Sequence, residues 1–259
     1  MNKPVLILGG STGMGAACAR LLSKRGHTVI LVARNEQALR QTQASLSGEA
    51  MVFPYDLEDT EHVKTVFDFC REQGALLHAM IYCAGMDASY PIKACTASVM
   101  ERVMRVNCFS FMEAGKHFSN KRYSVDYGKI VAISSSASIT CDKGMGIYSA
   151  SKAALNATVK TMAKEFTRRG ILVNAVLPAG VLTPMAIKKM QMQDTGLQIK
   201  EEEAIEALNQ NQPVIVSDSD QPLGIISPDS VAELITFLVS EQNKYITGAL
   251  IPVSAGRYL

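Results

Sequence analysis

Tyr148 and Lys152 stand four residues apart in Ile147-Tyr148-Ser149-Ala150-Ser151-Lys152. On a helix this spacing puts a phenol and an ammonium one turn apart on the same face. The two groups form a plausible acid/base unit. A free tyrosine titrates at about 10, and a neighbouring cation favours the phenolate and lowers that value, towards the range where general acid/base catalysis works. The same pair also fits an ordinary amphipathic surface turn, so its meaning depends on what the rest of the chain places around it.

The chain has 259 residues, 47% of them hydrophobic, with a formal net charge of +2. That length suits one large α/β domain or two small ones. The scattered Lys and Arg argue against nucleic acid or an anionic membrane as the main partner. No apolar run approaches the roughly 18 residues of a membrane span, and the N-terminus does not resemble a signal peptide. The six cysteines form no CxxC pair and have no histidine cluster beside them, so metal ligation is not expected. Buried free thiols in a reducing cytosol are the simpler account, and a cytoplasmic location is expected.

Val5-Leu6-Ile7-Leu8 is a continuous apolar run, as in a strand buried on both faces. Gly9-Gly10-Ser11-Thr12-Gly13-Met14-Gly15 follows, and Ala16 to Arg25 has helical periodicity. Strand, glycine turn and helix in this order form a dinucleotide-binding arrangement. The glycines let the backbone approach a pyrophosphate, and the helix N-terminus offers N–H groups and a positive dipole end. A second strand, 28–33, ends at Arg34, and the first acid after it is Glu36. An acid at the strand end would bind a ribose 2′-hydroxyl, whereas an arginine pairs with a 2′-phosphate. The expectation is NADP(H) in preference to NAD(H), unless Arg34 is only a solvated loop residue.

The alternation continues with a helix over 36–46, a strand over 50–55 closed by Asp56-Leu57, and a helix over 60–73. A strand over 77–82 then ends in Cys83-Ala84-Gly85. A long helix over 98–119 carries Asn107, and a strand over 129–133 ends in Ser134-Ser135-Ser136. A helix over 148–169 and a strand over 171–177 follow. This rhythm predicts a doubly wound parallel sheet, a Rossmann-type α/β fold of about seven strands in a single domain spanning 1–259. Ligands bind beyond the carboxyl ends of such strands. The rhythm breaks over about 183–227, expected as a substrate-loop insertion with helices near 185–192 and 200–209. A helix over 228–240 and a strand over 249–253 close the chain.

With Gly9-x3-Gly13-x-Gly15, Asn107, the serine cluster and Tyr148-x3-Lys152 in order, the chain resembles the short-chain dehydrogenase/reductase family, in its single-domain branch. The resemblance implies that Tyr148 is the general acid/base. Lys152 would bind the nicotinamide ribose and lower the Tyr148 pKa. Ser135, thirteen residues before Tyr148, would hold the substrate oxygen, with Ser134 and Ser136 as alternatives. Asn107 would bend its helix and hold a water in a proton relay to Lys152. The cofactor would meet Gly9, Ser11, Thr12, Gly13, Met14, Arg34, Asp56, Leu57, Ala84, Gly85, Ile133, Pro178, Val181 and Thr183, besides Tyr148 and Lys152. Of these, Asp56 would face the adenine, Ile133 would lie beneath the nicotinamide, and Val181 and Thr183 would hold its carboxamide. The resemblance also implies a homodimer or homotetramer through the 98–119 and 148–169 helices.

Four motifs depart from the family pattern: Leu8 for the usual Thr, Tyr82-Cys83 for Asn-Asn, Ala179 in the usual Pro-Gly, and Ser254-Ala255-Gly256 for Asp-Gly-Gly. The leading expectation is an NADP(H)-dependent oxidoreductase acting on a small carbonyl or secondary alcohol. The substrate could be a 3-oxoacyl thioester, a ketosteroid, a sugar-derived ketone or a small diketone. A non-catalytic NADP(H)-binding sensor or scaffold is the alternative. An epimerase or dehydratase of the longer branch would need a different glycine spacing and a larger C-terminal region. Met185, Met190 and Met192 would line a flexible pocket or fill gaps, Glu201 to Glu203 would be a solvated helix face, and Cys141 and Asp142 would border the substrate or form an ordinary loop.

Overall fold

A computed structural model describes residues 3–184, 186–187 and 221–257. Most of the expected insertion, including Met185, Met190, Met192 and Glu201 to Glu203, lies outside the described residues. Seven strands form one sheet: β1 (Val5–Leu8), β2 (Val29–Ala33), β3 (Ala50–Pro54), β4 (Leu77–Tyr82), β5 (Ser124–Ile133), β6 (Leu172–Pro178) and β7 (Leu250–Val253). All neighbours are parallel, in the order β3-β2-β1-β4-β5-β6-β7. The described helices are α1 (Gly13–Lys24), α2 (Glu36–Ala44), α3 (Lys64–Glu72), α4 (Ala97–Met104), α5 (Ser110–Phe118), α6 (Ala137–Thr140), α7 (Gly146–Glu165) and α8 (Pro228–Val239).

Alternation along β1 divides the core in two, because successive side chains point to opposite faces. Leu6 and Leu8 belong to one cluster, with Phe67 of α3, Phe111 of α5 and Leu155 of α7. Val5 and Ile7 belong to the other, with Leu22 of α1, Leu39 of α2 and Ile235 of α8. A strand covered on both faces has no solvent side to mark with polar residues, which is why β1 reads as an unbroken apolar run. The strand order grows from β1 to β3 in one direction and from β4 to β7 in the other. The crevice at that reversal lies between the carboxyl ends of β1 and β4.

Several boundaries differ from the sequence expectation for identifiable reasons. α1 begins at Gly13 rather than Ala16, so the glycine loop supplies the helix's first turn. α3 begins at Lys64 rather than Thr60, because the Asp59 carboxylate accepts from the N–H groups of Glu61 and His62 at 3.2 Å and holds a separate turn. β5 begins at Ser124: Leu77 pairs with Ser124, but Ala79 pairs with Lys129, so 125–128 bulge out of register. The expected single helix over 98–119 is interrupted by a π-helical turn at Arg105–Phe109. No helix among the described residues is long and apolar enough to cross a membrane.

Candidate active site

The glycine loop is shaped by contacts that no side chain could share. A Cβ on Gly9 would lie 2.5 Å from the Ala84 nitrogen, and one on Gly15 would lie 2.1 Å from the Gly9 carbonyl oxygen. Gly9 also has a left-handed backbone, with φ at 90°. Leu8 thereby meets the end of β4 directly: its carbonyl accepts from both Cys83 N–H (2.7 Å) and Ala84 N–H (2.9 Å). Thr12 caps α1 without a side-chain hydrogen bond. The first-turn N–H groups are therefore left for an anionic ligand.

A cleft of about 510 Å³ opens above this loop. Gly9, Ser11, Thr12, Gly13, Met14, Arg34, Asp56, Leu57, Ala84, Gly85 and Thr183 all line it. Ile133, Tyr148, Lys152, Pro178 and Val181 do not line it; all but half-buried Tyr148 are buried. The glycine cradle, the uncapped helix end and the volume fit a pyrophosphate-linked dinucleotide. Tyr55, Cys83, Met86, Asp87, Val106 and Pro184 also line the cleft and were not expected there. Most of them adjoin residues already named, so extending each strand end by one or two positions would have found them. Arg34 is exposed at the end of β2 and forms no ion pair among the described residues. The Glu36 carboxylate is instead engaged along α2 by Arg40, at 2.6 Å, and Asn35 caps α2 by accepting from Ala38 N–H at 3.1 Å.

Tyr148 and Lys152 lie on α7 at the carboxyl end of β5. The Ser135 hydroxyl faces the Tyr148 phenol and acts to lower its pKa. Ser134 and Ser136 are buried. The Ser134 hydroxyl donates to the Lys152 carbonyl at 3.4 Å, and Ser136 N–H donates to the Pro178 carbonyl at 2.9 Å. Of the three serines, Ser135 faces Tyr148. Lys152 is 3% exposed; its Nζ donates to the Ile133 carbonyl at 2.9 Å and stands 5.9 Å from the Tyr148 ring centroid.

The charge balance differs from the expectation. Burial pushes the Tyr148 phenol up to about 12, partly opposed by Ser135 and reinforced by the Asp87 carboxylate. Burial likewise brings the Lys152 ammonium down to about 8. Desolvation, not the attraction expected between the two, sets both values.

Asn107 is fully buried in the π-helical turn. Its Oδ1 accepts from Met86 N–H at 2.7 Å, and its Nδ2 donates to the Met86 carbonyl (3.0 Å) and to Ser151 Oγ (2.9 Å). The Ser151 hydroxyl donates in turn to the Tyr148 carbonyl at 2.7 Å. The Asn107 carboxamide therefore braces the loop after β4 against α7. Lys152 Nζ and Asn107 Oδ1 lie 3.4 and 3.7 Å from the point a Cβ on Gly85 would occupy. The space between them is open because residue 85 is glycine.

Comparison with known proteins agrees with this geometry. The family model for short chain dehydrogenases matches residues 3–194. The chain belongs to the short-chain dehydrogenase family. Carbonyl reductase family member 4 of Danio rerio is 30% identical over 100% of this chain and 99% of its own. The 3-oxoacyl-acyl-carrier-protein reductase FabG of Rickettsia conorii is 30% identical, covering 98% of this chain and 96% of its own. An actinorhodin polyketide ketoreductase structure with NADPH shares the fold, with a TM-score of 0.85 at 24% identity over 99% of this chain and 98% of the other. The protein is thus an oxidoreductase of a family that uses nicotinamide cofactors on carbonyl or alcohol groups.

The departures from the family pattern have local accounts in this short-chain dehydrogenase. Tyr82 is fully buried and donates its hydroxyl to the Val106 carbonyl at 2.5 Å, inside the π-helical turn. Cys83 packs against the thiol of Cys18 in α1. Ala255 takes a left-handed backbone, φ 50°, while its carbonyl accepts from Leu223 N–H at 3.1 Å.

Proposed function

We propose that this protein is an NADP(H)-dependent carbonyl reductase or secondary-alcohol dehydrogenase using a tyrosine acid/base. The observation that carries the reading is buried Lys152, its Nζ on the Ile133 carbonyl and 5.9 Å from the Tyr148 ring that Ser135 faces, next to a cleft that fits a dinucleotide. The bound cofactor supplies or accepts the hydride. Ser135 and Tyr148 direct their hydroxyls at the substrate oxygen, where negative charge grows during reduction. Tyr148 gives its proton to that oxygen, and its raised pKa keeps it in the protonated form that reduction requires. Lys152 brings a positive charge behind the phenol once the proton has left. A water held between Lys152 Nζ and Asn107 Oδ1 would return the proton, which assigns Asn107 a place in the relay.

NADP(H) is favoured by Arg34 at the cleft edge and by the engagement of Glu36 with Arg40. The names of the relatives, a carbonyl reductase and a 3-oxoacyl reductase, support a small ketone or 3-oxoacyl thioester as substrate. A homodimer or homotetramer through the α4–α5 and α7 faces is supported by Met100, Phe109 and Met112, which stand exposed on α4, the π turn and α5.

An NADPH-consumption screen over ketones, diketones and 3-oxoacyl thioesters tests the reading. Tyr148→Phe is expected to lower turnover by at least about 100-fold with NADPH affinity retained. Undiminished activity in that variant sinks the mechanism. Arg34→Asp is expected to weaken NADPH by about tenfold or more and to improve NADH. A wild-type protein that already prefers NADH overturns the cofactor assignment.

A further inference from the structure

One buried polar side chain outside the machinery above reaches the chain just past β6. Gln221 is 6% exposed. Its Oε1 accepts from Gly180 N–H at 2.6 Å, and its Nε2 donates to the Gly180 carbonyl at 3.2 Å. The carboxamide thus meets both backbone groups of one residue, as a neighbouring strand would. Nε2 also donates to the Gly224 carbonyl at 3.2 Å. Backbone pairing continues where the side chain stops: Ile226 N–H donates to Gly180 at 3.0 Å, and Leu182 N–H donates to Ile226 at 2.9 Å. Val181 and Ile226 form a parallel bridge.

This short ladder carries the chain to Thr183. The Thr183 methyl stands 3.2 Å from the position of a Cβ on Gly13, over the first turn of α1. Gln221 therefore fixes the height of 180–183 over the glycine loop. It also explains a glycine. The three atoms nearest to a Cβ built on Gly180 all belong to Gln221, the closest being Oε1 at 2.3 Å. The Gly180 backbone is not left-handed, so alanine is excluded there by Gln221 and not by conformation.

We propose that Gln221 is a positioning residue for the nicotinamide end of the cleft, setting where Val181 and Thr183 meet the cofactor's carboxamide. The proposal rests on the reading of the cleft as an NADP(H) site. It separates two halves of one ligand: the adenosine and pyrophosphate half is held by the glycine loop and Arg34, and only the nicotinamide half depends on Gln221.

Calorimetric binding of NADP+ and of 2′-phospho-ADP-ribose, which lacks the nicotinamide, tests this on the full chain without any substrate. Gln221→Ala is expected to weaken NADP+ by about tenfold, the order of one or two lost positioning hydrogen bonds, and to leave 2′-phospho-ADP-ribose within about twofold. Gly180→Ala is expected to do the same. The double variant, in which the clash is gone, is expected to bind NADP+ no more weakly than the weaker single variant, because both changes act through one contact. Equal weakening of both ligands in Gln221→Ala indicates a general structural role and overturns the proposal. So do unchanged NADP+ binding and additive losses in the double variant. A wild-type protein that binds neither ligand overturns the cofactor reading and the proposal with it, and this is seen before any variant is made.

Discussion

Tyr148 and Lys152 show what residue spacing can and cannot convey. The four-residue interval and the serine cluster upstream point to Tyr148, Lys152 and Ser135, which the fold places near one another at the end of β5. The direction of their pKa shifts was not legible, because it depends on burial, which sequence spacing does not encode. Lys152 carries a testable consequence. Its native pKa is near 8, against about 10.4 for an exposed lysine. Between these values the unfolded chain holds more protons, so stability from this group rises with pH. Below pH 8 the full cost of burying the ammonium is present. Compared with Lys152→Met, the wild type is expected to gain up to about 2 kcal/mol of relative stability between pH 7.5 and pH 10, measured by urea unfolding. Tyr148 stays protonated in both states through most of that window. A stability gap independent of pH would show that Lys152 is hydrated in solution.

At the scale of elements, the helices and strands of the described residues lie close to where the sequence puts them, but their irregularities do not show in it. The π-helical turn at Arg105–Phe109 leaves no mark in hydrophobic periodicity, since one extra residue per turn shifts the pattern only slightly. It was foreseen only through the resemblance, as a local bend at Asn107. What stabilises it lies far away in sequence: the Tyr82 hydroxyl on the Val106 carbonyl and the Met86 backbone on Asn107. The hook of Gln221 on Gly180 was missed for the same reason, because one side chain pairing with remote backbone has no periodic signature. Tyr82→Phe removes only the hydroxyl and leaves a buried carbonyl short of a donor. It is expected to cost about 1–2 kcal/mol in urea unfolding and to lower turnover by loosening Asn107. A neutral effect on both would mean that the turn is held by its backbone alone.

For the whole molecule, the parallel sheet was legible because buried strands are apolar runs and each ends where polar or glycine residues begin, as at Leu8-Gly9 and Ile133-Ser134. The doubly wound arrangement follows from the general handedness of crossovers, whereas the order of the strands is carried by no one residue and is seen only in the structure. The stretch over 188–220 had no such rhythm to read.

That strand order also has a kinetic meaning. β4 sits at the centre of the sheet, and its neighbour β1 comes first in the chain, so their pairing joins Val5 to the distant Ala79. The crevice between them cannot exist until that distant closure is made, and closures of this kind are slow. Dinucleotide capture should therefore be a late event on the folding route. Added NADP+ is expected to leave the refolding rate nearly unchanged and to slow unfolding in proportion to its binding, as stopped-flow measurements would show. Faster refolding with NADP+ would place the β1–β4 pairing in the folding nucleus instead. A chain that captures its cofactor only after the centre of its sheet has closed gains protection against unfolding from it, and no guidance in how to fold.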